Sequence, residues 1–276
     1  MFNKNYMRES EKDMKIVIKL GGSVVTYKDV NYFPLEIEEI KEQADKYIRY
    51  DVIRKIGREI KEAVGESGLR FILVNGAGPF GHYLVDLKRP DEDIRKSVRY
   101  LNEKIVSEFR KMGFDVVSVP PSESCEFVNG QFEISKMWEL TEKLIENDKI
   151  LSTYGDVLKD GKIISGDDLI VSLAKLWNAD KIVAVTDVKG VYTVDPKTSP
   201  SAIFVERIYS GKKTGKVKIQ YSTNVADVTG GMESKIEKLV EGARHGIKGQ
   251  VVSGLKEGSL KAALLGDETI GTLILP

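Results

Sequence analysis

The sequence has very little cysteine and no excess of charge of either sign. Cys125 is its single cysteine, so a disulfide cannot form within the chain. Its 42 lysine and arginine residues are balanced by 42 aspartate and glutamate residues. The chain therefore has no global basic field to attract nucleic acid or a membrane surface, and any anion-binding site must be local.

Long hydrophobic runs are also missing from the sequence. No stretch approaches the roughly 20 apolar residues of a membrane-spanning helix, and the opening segment MFNKNYMRESEKD is polar, unlike a secretory signal. We therefore expect a soluble, cytoplasmic protein. A chain of 276 residues can bury a full core, as one large α/β domain or as two tightly joined lobes.

Short runs rich in valine and isoleucine alternate along the chain with amphipathic segments. The short runs predict buried parallel strands at 15–20, 70–75, 114–119, 181–186 and 249–254. The amphipathic segments predict helices at 51–64, 93–112, 135–147, 167–177 and 232–244. This alternation indicates an α/β fold with helices on both faces of a sheet. Segments 28–50 and 209–222 interrupt it, and the second is expected to form an exposed hairpin.

The loop NGAGPFGH, after the second predicted strand, carries three glycines and one of the two histidines. Gly76, Gly78 and Gly81 match the G-x-G-x-x-G fingerprint of dinucleotide-binding proteins. A charged helical pattern follows, however, where that fingerprint needs a second strand and an acidic residue. The loop also differs from the phosphate loop G-x-x-x-x-G-K-S/T, because His82 and Tyr83 replace its last two residues. Its backbone amides can still cradle an anion at the start of a helix.

A second glycine turn follows the first predicted strand, in the segment IKLGGSVVTYK. Lys19 ends that strand, and Gly21 and Gly22 allow the backbone to approach a ligand closely. Ser23 can donate a hydrogen bond from the start of the next segment. Taken alone, these features also fit an ordinary turn beside an exposed lysine.

The segment DVTGGMESKIEKLVEGARHG predicts a helix that begins with bare backbone amides at Gly230 and Gly231. At 100° per residue, Lys235 lies about 60° from Met232 on the flank of the apolar stripe, whereas Lys238 points about 120° away. A lysine near a helix N-terminus opposes the helix dipole and needs a compensating anion. Phosphate would be such an anion.

The segment IISGDDLIVSLAKLW predicts another helix with a polar start. Ser165 can cap this helix, and Asp167 and Asp168 in its first turn complement the helix dipole. Those roles are a sufficient structural reason for both carboxylates. Carboxylates near lysines can also orient them.

Taken together, in their order and spacing, several motifs resemble those of the amino-acid kinase family, and within it the isopentenyl phosphate kinases. The motifs are KLGGSVVTYK, NGAGPFGH, YGDV, ISGDD, TDVKGVY, DVTGGMESK and ALLGDETIGT. The resemblance implies a three-layer αβα sandwich with a largely parallel central sheet. It implies a single domain over 14–276, with an acceptor lobe at about 14–160, a nucleotide lobe at about 161–276 and an extension at 1–13. It also implies a homodimer.

The same resemblance implies roles for individual residues. His82 would hold the phosphate of the acceptor, together with backbone groups of Ala77, Gly78 and Gly155. Lys19, Lys28 and Lys235 would be catalytic lysines, and Asp167 would orient them. The residues implied for nucleotide binding are Lys19, Gly21, Gly22, Ser23, Thr186, Asp187, Tyr192, Gly231 and Lys235. ATP would be the phosphoryl donor, with Mg²⁺ held by nucleotide phosphates and water rather than by protein ligands.

The activity that the resemblance implies is ATP-dependent phosphorylation of isopentenyl phosphate. Two alternatives stay open: a kinase of another small phosphate or phosphonate such as fosfomycin, and a non-catalytic nucleotide-binding sensor on the same fold. Ala77, Pro79 and Tyr154 depart from the usual family pattern on the acceptor side, as Lys189 does elsewhere. Tyr83, Val98 and Leu101 are the residues expected to line the acceptor pocket.

Overall fold

The computed structural model describes residues 13–27, 43–211 and 231–276. Within these residues the strands are β1 (Lys15–Leu20), β2 (Arg70–Asn75), β3 (Val116–Ser118), β4 (Glu126–Val128), β5 (Gln131–Glu133), β6 (Ile150–Tyr154), β7 (Asp156–Val157), β8 (Ile163–Ile164), β9 (Lys181–Thr186), β10 (Val191–Tyr192), β11 (Phe204–Val205), β12 (Arg207–Tyr209), β13 (Lys248–Ser253) and β14 (Thr272–Leu275).

The helices described are α1 (Gly22–Val25), α2 (Tyr50–Ser67), α3 (His82–Asp86), α4 (Asp91–Lys111), α5 (Pro121–Ser124), α6 (Ser135–Glu146), α7 (Gly166–Trp177), α8 (Gly231–Arg244) and α9 (Ser259–Leu264). Short 3-10 turns occupy Ala44–Tyr47 and Gly78–Phe80. None of the helices in the described part of the chain is long and apolar enough to cross a membrane.

The described strands form one large central sheet and three small two-stranded ones. The central sheet has the order β12-β14-β13-β9-β1-β2-β6-β3. Its pairs are parallel from β13 across to β3, and the pairing of β13 with β14 is antiparallel. The central strands are apolar on both faces, as expected of a parallel sheet that is covered by helices on both sides.

Two layers of helices cover the two faces of this sheet. The first layer, with α2, α3, α4 and α9, packs on the side chains of Ile16, Ile18 and Leu20. The second layer, with α6, α7 and α8, packs on the face that carries Val17. Because successive side chains of a strand point to opposite faces, Lys19 lies on the same face as Val17, toward α7. The predicted three-layer αβα sandwich with a largely parallel sheet is confirmed.

Most of the predicted elements are found with small shifts at their ends, and three strands of the central sheet were not predicted. One of them is the three-residue edge strand β12, RIY. Strand β6 has the sequence ILSTY, whose polar half hides the pattern of a buried strand. Strand β14 near the C-terminus, TLIL, is only four residues long. Of the two interrupting segments, 43–50 and 209–211 are described, so the hairpin predicted at 209–222 lies mainly outside the described residues.

Candidate active site

A cleft opens where the parallel strands β1, β2 and β6 end, which is the usual position of a ligand site in an α/β sheet. The cleft holds about 560 Å³ of empty space, including the part open to solvent. It is lined by Lys19, Gly76, Ala77, Gly81, His82, Val85, Ile94, Val98, Gly155, Asp156, Val157, Ile163, Ile164, Ser165, Gly166 and Asp167. Five residues predicted for catalysis or acceptor binding therefore share one cleft: Lys19, Ala77, His82, Gly155 and Asp167.

The two glycine loops pack directly against each other, backbone on backbone. A Cβ atom added to Gly22 would lie 2.5 Å from the backbone nitrogen of Gly78, and one added to Gly76 would lie 2.7 Å from the nitrogen of Gly22. The Gly76 amide also donates to the carbonyl of Leu20 at 2.8 Å. The glycines are therefore needed for this close approach, in addition to any contact with a ligand.

Gly78 lies where the two glycine loops meet. Its φ is +53°, in the left-handed region that favours glycine. A Cβ atom there would lie 2.4 Å from Oγ1 of Thr26, whose hydroxyl donates to the carbonyl of Gly22. Gly78 is not among the residues that line the cleft, and its packing on Thr26 and Gly22 joins the two loops.

A network of buried polar side chains supports Gly76, the first residue of the glycine loop after β2. The Nδ2 group of Asn102, on α4, donates to Oδ1 of Asn75 at 2.7 Å and to the hydroxyl of Ser152 at 2.9 Å. Asn75 in turn donates from Nδ2 to the carbonyl of Gly76 at 3.3 Å. Ser118 completes the network by donating to Oδ1 of Asn102. Such satisfied buried networks hold the backbone in one arrangement.

Lys19 and Asp167 form a buried ion pair at the junction of β1 and α7. Both side chains are less than a tenth exposed. Burial favours the neutral carboxyl of Asp167, but the Lys19 ammonium, together with Lys235 and Lys238, holds its pKa below the ordinary value. Asp167 therefore keeps its negative charge and can orient the ammonium of Lys19.

The first turn of α7 is fixed by a capping box and leaves space for the Lys19 side chain beside Asp167. Ser165 caps the helix and accepts from the amide of Asp168, whose carboxylate accepts in return from the amide of Ser165. A Cβ atom on Gly166 would lie 3.2 Å from Cε of Lys19, so glycine leaves room for the lysine stem. The capping role predicted for Ser165 is confirmed, and Asp168 adds the reciprocal hydrogen bond of a capping box.

Helix α8 brings two further lysines to the same side of the cleft. Lys235 is half-buried and is one of the charges that lower the pKa of Asp167. Lys238, which the helical spacing pointed away from Met232, forms an ion pair with Asp168 at 2.8 Å. Sequence reasoning missed this residue, because its partner lies on a neighbouring helix and not beneath the apolar stripe of α8.

His82 is the first residue of α3 and lines the cleft as a half-buried side chain. Asp156, which also lines the cleft, is buried and accepts from the amides of Ser122 and Val157 at 3.0 and 2.9 Å. Burial raises the pKa of the Asp156 carboxyl despite these hydrogen bonds.

The remaining part of the cleft is apolar. Its wall consists of Val85, Ile94, Val98, Val157, Ile163 and Ile164. Of the residues expected there, Val98 lines the cleft, whereas Leu101 is fully buried in the core and Tyr83 is not part of the lining. Arg95 fixes this wall, because its Nη1 donates to the carbonyls of Val157 and Leu158 at 3.3 and 3.1 Å.

The residues predicted for nucleotide binding lie around the ends of β1 and β9. The Gly21 amide donates to the carbonyl of Val185 at 2.9 Å, next to buried Thr186. Asp187 is ion-paired with Lys197. Tyr192 packs edge-on against Phe204, with ring centroids 5.4 Å apart.

Two of the three remaining predicted site residues, Ser23 and Gly231, lie within the described part of the chain. Ser23 is half-buried, and its carbonyl accepts from Arg49 at 3.4 Å. Gly231 begins α8 with a φ of +55°. Lys28 lies outside the described residues.

Two other residues of the site, Arg95 and Asn102, were also missed by sequence reasoning. Asn102 carried a usable signal, since it is a polar residue between Leu101 and Ile105 on the buried stripe of α4. A buried polar residue on such a stripe must find partners. Arg95 gave no signal, because its partners are backbone carbonyls distant in the sequence.

In the described part of the chain, no group of three or more histidine, cysteine, aspartate or glutamate side chains is arranged to bind a metal ion. One carboxylate oxygen in the cleft can still accept a hydrogen bond or contact a cation. Oδ1 of Asp167 is buried and has no hydrogen-bond partner among the described residues. This donor set fits a metal that arrives with a ligand and its own water molecules.

A lysine–carboxylate pair beside two glycine loops, at the carboxyl end of a parallel sheet, suits transfer of a phosphoryl group, which depends on positioning and charge stabilisation. Comparison with known proteins agrees with this class. The model of the amino acid kinase family matches residues 14–253, and the chain belongs to this family. The resemblance noted in the sequence is thus confirmed.

Individual relatives within this family are isopentenyl phosphate kinases. An isopentenyl phosphate kinase of Methanothermobacter thermautotrophicus is 30% identical over 281 residues, spanning 94% of this chain and 98% of that protein. One from Arabidopsis thaliana is 27% identical and spans 98% of each chain. A solved isopentenyl phosphate kinase structure superposes with a TM-score of 0.73 at 26% identity, covering 94% of this chain and 100% of that one.

Proposed function

We propose that this protein transfers the γ-phosphoryl group of ATP to isopentenyl phosphate, giving isopentenyl diphosphate and ADP. The observation that carries the proposal is the two-part cleft. One part holds Lys19, His82 and the glycine loops, and the other is a wall of valine and isoleucine side chains. A small molecule with a phosphate at one end and a branched apolar tail at the other fits both parts.

In the proposed reaction, a terminal oxygen of the acceptor phosphate attacks the γ-phosphorus of ATP. The bond from that phosphorus to the oxygen bridging to the β-phosphate breaks, and ADP leaves. His82 holds the acceptor phosphate with backbone groups of Ala77, Gly78 and Gly155, leaving one phosphate oxygen directed at the donor. Gly78 also supports this cradle by fixing the loop on Gly22.

The lysines stabilise the negative charge that moves during transfer. Lys19, held by Asp167, is placed to contact the transferring group, and Lys235 to contact the nucleotide side of it. Such groups act best when they are oriented before the reaction, because no reorganisation is then needed during it. Lys28 is proposed as a further catalytic lysine on the basis of its sequence motif.

On the nucleotide side, we propose that Gly21, Gly22, Ser23 and Gly231 approach the phosphates of ATP. Thr186, Asp187 and Tyr192 would then contact the rest of the nucleotide, within a lobe of about residues 161–276 that faces an acceptor lobe of about 14–160. Mg²⁺ would enter with ATP, held by phosphates and water, and would neutralise part of the phosphate charge.

We also propose that the protein is a cytoplasmic homodimer, as the family resemblance implies. Strand β3 is an edge of the described sheet, and a groove lined by Val117, Val119, Leu140 and Leu144 lies beside it. Exposed sheet edges and apolar grooves are common places for a second chain to pair. Light scattering of the purified protein measures the mass directly.

The proposed activity is tested by following ADP release with four acceptors at matched concentrations: isopentenyl phosphate, isopentenol, UMP and fosfomycin. We expect turnover of isopentenyl phosphate in the presence of Mg²⁺ and none in EDTA. Isopentenol should be slower by about 10⁴-fold or more, because buried groups that bind the phosphate would stay unpaired.

The same assay separates the alternatives. Preferred turnover of UMP, fosfomycin or the alcohol would overturn the assignment in favour of another kinase. Binding of ATP without turnover of any acceptor would favour a nucleotide sensor. Lys19→Ala serves as the matched control for contaminating kinases, since it should retain the fold and lose most of the turnover.

A further inference from the structure

The ion pair between Lys238 on α8 and Asp168 on α7 lies next to the Lys19–Asp167 pair. The distance between its charged atoms is 2.8 Å, and each side chain is about a third exposed. Neither residue lines the acceptor side of the cleft. Pairs with this exposure contribute little to the free energy of unfolding, typically about 0–1 kcal/mol.

Asp168 connects two structures through one carboxylate. Its Oδ2 accepts from the amide and hydroxyl of Ser165 and closes the capping box of α7, while its Oδ1 accepts from Lys238 on α8. The capping box fixes the first turn of α7, and Asp167 is the preceding residue in that turn. Any shift of Asp168 would therefore move Asp167 with it.

Lys238 is related to Lys235 by three residues along α8, so the two side chains emerge from the same side of the helix on consecutive turns. Lys235 lies close enough to lower the pKa of Asp167, as does Lys238. Because a helix is stiff over one turn, a tie between Lys238 and α7 restricts how far Lys235 can move from the Lys19–Asp167 pair.

We propose that the Lys238–Asp168 ion pair is a positioning device, which sets α8 against α7 so that Lys235 meets the nucleotide beside Lys19 and Asp167. The inference rests on the proposed phosphoryl transfer for its kinetic effect. Lys238 and Asp168 are positioning residues here, since they act through Lys235 and Asp167.

The test compares four variants with the wild type. Lys238→Met keeps the stem of the side chain and removes the charge, and Lys238→Arg keeps both. Asp168→Asn keeps an oxygen that can accept from Ser165 and removes the charged partner. Glu241→Gln is the matched control, because it removes the weaker second partner of Lys238, at 3.4 Å, and leaves Asp168 in place.

We expect Lys238→Met and Asp168→Asn each to lower kcat by about 10- to 100-fold, the scale of small displacements in a catalytic site. KM for the acceptor should stay within about twofold, and the melting temperature should change little. The double variant should be no slower than the worse single variant, because both changes break one interaction. Lys238→Arg and Glu241→Gln should keep wild-type kcat.

The Asp168→Asn variant separates position from charge. It leaves the positive charge of Lys238 in place, so a role of that charge alone predicts an unchanged kcat. Normal kcat in Asp168→Asn, or multiplicative losses in the double variant, would overturn the proposal. A melting temperature that falls in step with kcat would also overturn it, in favour of a purely structural role.

A binding measurement makes this test independent of the acceptor. The affinity for a non-hydrolysable ATP analogue, measured by calorimetry, should be about tenfold weaker in Lys238→Met and Asp168→Asn and unchanged in Glu241→Gln. A wild type that binds the analogue and phosphorylates none of the acceptors would contradict the proposed function alone. Unchanged affinity in both charge-removing variants would contradict the positioning role alone.

Discussion

At the scale of single residues, the cleft depends on a few polar groups in a largely apolar lining. Lys19 is 5% exposed, and its stem passes the bare Cα of Gly166 before it reaches Asp167. His82 faces the same cleft from the start of α3. The carboxylate of Asp167 holds the Lys19 side chain in one direction, so no reorganisation of water is needed when a substrate binds.

His82→Ala should lower kcat/KM for the phosphorylated acceptor by about 10²- to 10³-fold, the usual effect of losing one oriented hydrogen-bond donor. ATP affinity and the melting temperature should change little, since His82 is only half-buried. Steady-state kinetics with each substrate varied in turn provide the measurement.

The second histidine offers a matched control for this prediction. His245 follows the last turn of α8 at an exposed position, and its amide donates to the carbonyl of Gly242. His245→Ala should behave as the wild type. If both variants kept normal kcat/KM, His82 would merely complete the turn before α3.

At the scale of elements, the site is made by two loops that hold each other. The turn after β1 and the loop after β2 meet at Gly22, Gly76 and Gly78, with backbone atoms closer than any side chain would allow. The network of Asn75 and Asn102 fixes the second loop from below. The arrangement of the two glycine loops is thus determined by both strands together.

Gly22→Ala should damage this arrangement severely, because its Cβ atom would meet the backbone of Gly78 at 2.5–2.8 Å. We expect a loss of stability of about 1–3 kcal/mol, as for overpacking elsewhere, and a fall in kcat/KM of about 10²-fold or more. Denaturant unfolding and the acceptor assay give the two values.

Gly65→Ala is the control, since a Cβ atom at this exposed position of α2 would have no neighbour within 4 Å. It should raise stability by about 0.5–1 kcal/mol through helix propensity and leave kinetics unchanged. Wild-type kinetics in Gly22→Ala would show that the two loops can separate without loss of the site.

Much of this arrangement could be predicted from the sequence, and the missing parts have a common physical cause. Strands and helices with clear periodicity, such as β1 and α7, follow from local patterns, and the motifs around Lys19 and Asp167 led to the family. The partner of Lys238 and the two carbonyls that accept from Arg95 are contacts between elements distant in sequence. Helical spacing predicts the direction of a side chain, but it does not predict which residues of other elements the side chain contacts.

At the scale of the whole molecule, buried lysines at the two ends of the parallel strands have different partners. Lys181, at the start of β9 and far along the strand from Thr186, is 5% exposed, and its ammonium donates to the carbonyl of Ala263 at 2.8 Å. Burial lowers the pKa of Lys181 to about 8. Lys19 has a carboxylate at hand, whereas Lys181 donates to a neutral carbonyl, so its protonated form is destabilised by folding.

The sign of the resulting pH dependence follows from proton binding. Between about pH 8 and pH 10.5, the unfolded chain holds a proton on Lys181 that the folded protein has released, so folding becomes more favourable as pH rises through this window. The unfolding free energy of the wild type minus that of Lys181→Met should therefore rise by about 1–3 kcal/mol across it. Urea unfolding of both proteins at several pH values measures the difference and cancels the other titrating groups. A flat difference would mean that the Lys181 ammonium is hydrated in the folded protein.

The alternation along β1 has a consequence for how natural variation can accumulate in this chain. From Ile16 to Leu20 the strand is buried on both faces, so a shift of one residue would still place aliphatic side chains against both helical layers. The same shift would turn the ammonium of Lys19 away from Asp167 and into the opposite layer. An insertion or deletion between Lys15 and Lys19 would thus abolish activity before it prevented folding, and selection would remove it. Changes of length among related sequences should therefore be found upstream of Lys15.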